Sequence, residues 1–204
     1  MPSATITQAS SLEHVLHSLQ QSLKHNEEPS HTQSQLQKAK LALLHHGALI
    51  PSSQKSQQTL TTARSILEIG ALLSIRARDP QSFIRYYSQL QPFYDTESLH
   101  PSANRSKITG LYLLLLLSQG DYAGFHTLLE ILIVAEGPDA GKGKTVEDDP
   151  YIKYPIELER SLMEGSYDQV WRKTRGGDVP GEEYALFSEV CFVPGNLGTL
   201  ANEV

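Results

Sequence analysis

Cysteine is almost absent from this chain, since Cys191 is the only one among 204 residues. A lone cysteine cannot form a disulfide within the chain, which excludes the disulfide-rich secreted scaffolds and fits a reducing compartment. The first residues contain no basic stretch that leads into an apolar one, so we expect no secretory signal.

Long apolar runs and clusters of positive charge are also scarce. The longest apolar run, 108–117, is interrupted by Gly110 and has about half of the ~20 residues that a membrane-spanning helix needs, so it predicts a buried core helix. Lys and Arg number 17 against 23 Asp and Glu, and the two signs are interspersed. Because binding to phosphate needs clustered cations, we expect no nucleic-acid partner. Since the longest apolar run is too short to span a membrane, we also expect no membrane partner.

Apolar residues recur at helical spacing along most of the chain, and strand patterns are nearly absent. Asp79 and Pro80 predict a helix start, and Gly120 predicts a tight turn between two helices. The sequence therefore predicts an all-α fold, a right-handed solenoid of antiparallel helix pairs. The expected core face of the first helix comprises Leu36, Ala39, Leu43 and Leu44.

Three segments follow from composition. Residues 1–34 are polar and predict a flexible tail, residues 35–190 carry the helical repeats, and residues 191–204 predict an irregular C-terminal tail.

The segment 131–145 imitates a phosphate-binding loop but does not match its spacing. Five residues separate Gly137 from Gly143, whereas the motif needs four, and Pro138 follows where its backbone should wrap the phosphates. We expect a surface linker there. His14 and His17 lie one helical turn apart, but no carboxylate or thiol partner follows them at the spacing of a metal site. The sequence thus predicts no catalytic residue, no metal site, no cofactor and no small-molecule substrate.

Residues 150–171 predict a hairpin of two short helices. Pro155 suits the first position of a helix because its missing N–H would be unpaired there, and Gly165 ends that helix before Ser166 caps the next. Tyr151, Lys153 and Tyr154 precede the predicted helix and are candidates for a protein interface. The alternative for these aromatic residues is core packing, which we expect for Tyr122, Tyr167 and Trp171.

The amino-acid sequence of this hairpin, from Tyr151 to Tyr167, resembles that of the PCI-domain lid subunits of the 26S proteasome regulatory particle, the family called regulatory-particle non-ATPase subunit twelve. Further matching strings are 63–71, 79–83, 113–119 and 125–130. The signature residues, which we expect to be mainly structural, are Pro155, Leu158, Leu162, Met163, Glu164, Gly165, Ser166 and Tyr167.

The resemblance implies a tetratricopeptide-like helical part followed by a winged helix. It implies a non-catalytic scaffold subunit, found in cytoplasm and nucleus, that contacts other lid and regulatory-particle subunits and supports ubiquitin-dependent protein degradation. A PCI solenoid of the signalosome or of a translation initiation factor is the alternative. After about residue 190 the pattern departs from the family, so we expect a truncated or divergent chain whose winged helix is largely missing.

Overall fold

The computed structural model describes residues 14, 16–19, 21, 29–52, 56–96, 99–135, 146–175 and 179–191. Every regular element in these ranges is helical, so the prediction of an all-α fold is confirmed. The handedness of the repeat stays a prediction. Residues 14, 16–19 and 21 are helical. The helices of the described ranges from residue 29 onwards are α1 Pro29–His45, α2 Gln57–Arg76, α3 Pro80–Tyr94, α4 Arg105–Ser118, α5 Tyr122–Ala135, α6 Pro150–Met163, α7 Tyr167–Arg175 and α8 Glu182–Cys191, with a 3-10 turn at Val146–Asp148.

The chain forms two compact units, Met1–Ser102 and Ala103–Val204. In the first unit α2 is central and packs against α1 and α3. In the second unit α4 is central and packs against α5, α6 and α8. The three-segment division at residues 34 and 190 stays a prediction.

The apolar run of residues 108–117 forms the core of the second unit. Its residues are buried from Ile108 to Leu111 and from Leu113 to Leu117, which confirms the prediction of a core helix. No helix among the described residues is both long enough and apolar enough to cross a membrane.

For one residue of the first unit, Leu44, the prediction of a core position was wrong. Leu36, Ala39 and Leu43 are buried, but Leu44 is 61% exposed. Consecutive residues of a helix point about 100° apart, so only Leu43 of the adjacent pair lies on the face that packs against α2.

A buried polar network lies inside the first unit. Arg64 and Glu68 on α2 are 7% and 2% exposed, and their Nε and Oε1 atoms are 3.8 Å apart. Arg64 Nη1 donates to the His100 carbonyl at 2.6 Å, and the Tyr94 hydroxyl donates to Glu68 Oε1 at 3.3 Å. The network ties α2 to α3 and to the segment that follows it.

The start of α3 confirms the predicted cap at Asp79. Its Oδ1 accepts a hydrogen bond from the Ser82 N–H at 3.0 Å, and hydrogen bonds from Ser82 hold the pKa of Asp79 below its ordinary value. We expect Asp79→Ala to lower the free energy of unfolding by about 1 kcal/mol at neutral pH.

This effect of Asp79→Ala should depend on pH. A group with a lowered pKa stabilises the fold above its unfolded-state pKa, and the stabilisation is lost as the pH falls through the folded-state pKa. Denaturant titrations of both proteins between about pH 7 and about pH 3 should therefore converge. An unchanged gap at the acidic end, or no gap at neutral pH, would contradict the assignment of the charged cap.

Candidate protein-interaction site

The first helix of the hairpin of residues 150–171 begins earlier than predicted. Its first helix, α6, starts at Pro150, so the prediction that Pro155 opens the helix was wrong. Asp149 is the N-cap, and its Oδ1 accepts a hydrogen bond from the Tyr151 N–H at 3.0 Å. Asp149–Pro150 and Pro155 are both signals for the start of a helix. The helix begins at the earlier one, because the Asp149 cap together with Pro150 satisfies more of the free N–H groups than Pro155 alone.

Pro155 consequently lies inside α6, where it leaves one backbone group without a helical partner. It has no N–H, so the carbonyl of Tyr151, four residues earlier, cannot make its usual helical bond. The hydroxyl of Tyr184 on α8 lies 3.1 Å from this oxygen and 2.9 Å from the carbonyl oxygen of Lys107 on α4. The single hydroxyl proton of Tyr184 is shared between these two acceptors. Burial raises the pKa of Tyr184, which keeps the hydroxyl protonated.

Two further residues hold α8 at this point. The Glu183 carboxylate, on a residue 6% exposed, lies 2.7 Å from Lys107 Nζ. Gly110 allows the close approach, because a Cβ there would collide with the Tyr184 hydroxyl and with the Tyr151 carbonyl. We call Lys107, Gly110, Tyr151, Glu183 and Tyr184 the three-helix junction, since they join α4, α6 and α8.

The bond between Tyr184 and the carbonyl freed by Pro155 can be tested by a double-mutant cycle. Tyr184→Phe should cost about 1.5 kcal/mol, because it removes a hydrogen bond and leaves a buried carbonyl without a donor. Pro155→Ala supplies an N–H for the Tyr151 carbonyl, so Tyr184→Phe should cost about 1 kcal/mol less in that background. Urea unfolding of the four proteins measures both values. Strict additivity would show that the two residues do not share the carbonyl.

The turn between α6 and α7 confirms the role predicted for Gly165. Its φ is +66°, a conformation that favours glycine. The Ser166 N–H donates to the Ser161 carbonyl at 2.9 Å and the Gly165 N–H to the Leu162 carbonyl at 3.1 Å, which is the pattern of a Schellman cap. The hairpin therefore reverses direction within the three residues that separate α6 from α7.

The three residues predicted for an interface lie in different environments. Lys153 is exposed and Tyr151 is half-buried. Tyr154 is 6% exposed, with its ring 5.9 Å from that of Tyr184 and its hydroxyl 3.4 Å from the Lys173 carbonyl. Tyr154 thus packs inside the second unit, whereas Lys153 is open to a partner. The interface itself stays a prediction.

The signature residues separate into a buried and an exposed group. Pro155 and Leu158 are buried. Met163 is 54% exposed and Tyr167 is 43% exposed, so the prediction that Tyr167 lies in the core was wrong. Tyr167 opens α7 beside the tight turn, and this position leaves its ring at the surface. Tyr122 and Trp171 are half-buried.

Two side-chain contacts join α6 to other helices. Glu157 Oε2 on α6 lies 3.2 Å from Lys173 Nζ on α7. Glu159 Oε1 lies 3.4 Å from Nε2 of His126 on α5. Carboxylates of α6 therefore contact side chains of both α7 and α5.

No group of three or more His, Cys, Asp or Glu side chains that could hold a metal occurs in the described ranges. His14 and His17 are exposed. The phosphate-loop-like residues 137–145 lie outside the described part of the chain.

Sequence reasoning missed the three-helix junction. The signal that could have found it is Pro155 itself, because a proline inside a helix always frees a carbonyl four residues earlier. The sequence does not tell which donor satisfies that carbonyl, since Tyr184 lies 33 residues further along the chain.

The chain is similar to known proteins, and the similarity includes this region. A family model described as the CSN8/PSMD8/EIF3K family matches residues 103–186, which include the hairpin and the junction. The 26S proteasome regulatory subunit rpn12 of Schizosaccharomyces pombe is 37% identical over 170 residues, or 83% of this chain and 59% of that protein.

Two further relatives also match most of this chain and about half of their own length. The 26S proteasome regulatory subunit RPN12 of Saccharomyces cerevisiae is 36% identical over 74% of this chain and 55% of its own. The 26S proteasome non-ATPase regulatory subunit 8 homolog A of Arabidopsis thaliana is 39% identical over 70% of this chain and 49% of its own. The chain therefore spans about half to three-fifths of the length of these relatives.

Proposed function

We propose that this chain, which belongs to the Rpn12/PSMD8 family, is a structural and assembly subunit of the 26S proteasome regulatory particle lid. In this role it supports ubiquitin-dependent protein degradation through contacts with other lid and regulatory-particle subunits. The observation that carries the proposal is the identity of 36–37% with two subunits named Rpn12, over 74–83% of this chain.

We also propose that its role is not catalytic. The relatives are named regulatory or non-ATPase subunits, and what those names describe is regulation within an assembly. In this proposal the subunit binds no nucleic acid, membrane, cofactor or small-molecule substrate, and it acts in cytoplasm and nucleus.

The hairpin offers side chains for such contacts. Lys153 is exposed near the start of α6, and Met163 and Tyr167 are exposed at the turn into α7. Aromatic and methionine side chains are enriched in protein interfaces, and a lysine at the border of an interface contributes through charge complementarity. We propose that exposed Lys153 and half-buried Tyr151 contribute to the interface.

The alternative is a PCI subunit of the signalosome or of a translation initiation factor, since the description of the family model also names CSN8 and EIF3K. The relatives reported above favour the proteasome, because their names place them in its regulatory particle.

Affinity purification of the tagged chain, expressed at native level, separates these functions. We expect mass spectrometry to recover lid and base subunits of the proteasome with it, and the tag alone serves as the control. Recovery of signalosome or initiation-factor subunits in their place would support the alternative. Recovery of the chain alone would contradict both.

A further inference from the structure

The C-terminal half of α5 carries three exposed branched aliphatic side chains. Ile131 is 59% exposed, Ile133 is 45% exposed and Val134 is 72% exposed. We call these three residues the α5 patch. On the neighbouring helix α4, by contrast, Leu113 and Leu117 are fully buried.

The packing of α5 within its own unit does not account for the patch. A surface helix usually places polar residues opposite the face that it buries. In α5 the fully buried residue is Phe125, and half-buried Leu132 extends the same face towards the C-terminal end. Residues 131–135 are nevertheless apolar on every side, a composition typical of a helix segment that is covered all round.

The geometry and charge of the patch indicate what would cover it. Ile131 and Val134 are three residues apart and form a ridge, which fits the groove between side chains of another helix. Glu130, which precedes Ile131, is exposed. It is the only Asp, Glu, Lys or Arg residue in α5. A covering helix with Lys or Arg at the border of its apolar face would match this carboxylate.

We infer that the α5 patch is the docking site for an amphipathic helix of another regulatory-particle subunit, one with Lys or Arg flanking its apolar stripe. The inference rests on the proposed function and deepens it by naming the surface and the chemistry of the partner. The patch would be the apolar centre of this contact, and Glu130 would set the orientation of the bound helix.

Incorporation into the regulatory particle tests the docking site in the full-length chain. We expect Val134→Glu to lower incorporation at least tenfold, because it places a carboxylate in the apolar contact. Thr127→Glu is the matched control, since Thr127 is exposed on the same helix two turns earlier and the substitution adds the same charge. It should incorporate within twofold of the unsubstituted chain. Circular dichroism of the isolated chains checks that both fold.

A photo-crosslinking residue at position 134 identifies the occupant directly. We expect crosslinks to one helical segment of another subunit that carries Lys or Arg, and Glu130→Lys should reduce their yield severalfold. Incorporation of Val134→Glu at the normal level, or crosslinks to a second copy, an acidic segment or nothing, would overturn the inference even if the chain is a genuine subunit. Absence of the unsubstituted chain from the particle would overturn the proposed function, and this inference with it.

Discussion

Replacing Glu68 with alanine should lower the free energy of unfolding of the first unit by about 3–5 kcal/mol. Arg64 is 7% exposed and would keep its charge while losing the carboxylate next to Nε. Its bond from Nη1 to the His100 carbonyl, at 2.6 Å, holds the guanidinium in place, so it cannot turn out to solvent freely. The Tyr94 hydroxyl would lose its acceptor as well.

The control for Glu68→Ala removes both charges. In the double variant Arg64→Met, Glu68→Met no charge is left buried and the apolar side chains fill the space, so most of the lost stability should return. Urea denaturation followed by circular dichroism measures the single and double variants. A single variant within about 1 kcal/mol of the unsubstituted protein would show that Arg64 finds another partner or is reached by water.

Replacing Gly110 with alanine should destabilise the second unit by about 2 kcal/mol, even though alanine is the better helix former. The added Cβ meets the Tyr151 carbonyl, which belongs to the backbone of α6 and cannot rotate away. Overpacking of this kind costs about 3 kcal/mol, whereas the gain in helix propensity is about 1 kcal/mol. The steric cost therefore exceeds the gain in helix propensity, and the substitution lowers the stability of the second unit.

Gly181→Ala is the matched control for this substitution. Gly181 lies in the same unit, directly before α8, and a Cβ there would have its nearest neighbours at 3.7 Å and 3.9 Å, ordinary contact distances. We expect it to change stability by less than about 0.5 kcal/mol. Equal effects of the two substitutions in thermal unfolding would show that the close approach of α4, α6 and α8 at Gly110 is not required.

The elements of this fold follow from local signals, which is why they could be predicted. The Asp79 cap and the Gly165 stop act through hydrogen bonds within four or five residues, and such patterns are visible in the sequence. The apolar run of α4 likewise predicts a buried helix without knowledge of its neighbours.

The junction and the exposure of single side chains could not be predicted, because they depend on the tertiary arrangement. The Tyr184 hydroxyl reaches the Lys107 carbonyl across 77 residues of sequence. Periodicity shows which residues of a helix share a face, but not whether a neighbour covers that face. For this reason Tyr167 and Leu44 were expected in the core and lie at the surface.

We propose that this chain contributes contacts to the proteasome regulatory particle, and this can be tested by replacing the resident Rpn12/PSMD8 subunit of a cell with the chain. The endogenous Rpn12/PSMD8 protein would be depleted, this chain expressed in its place, and the fraction of fully assembled 26S particles measured by native electrophoresis. We expect assembly to fall on depletion and to be restored by the chain, with the chain present in the restored particles. Restored particles that lack the chain, or no restoration despite normal expression, would contradict it.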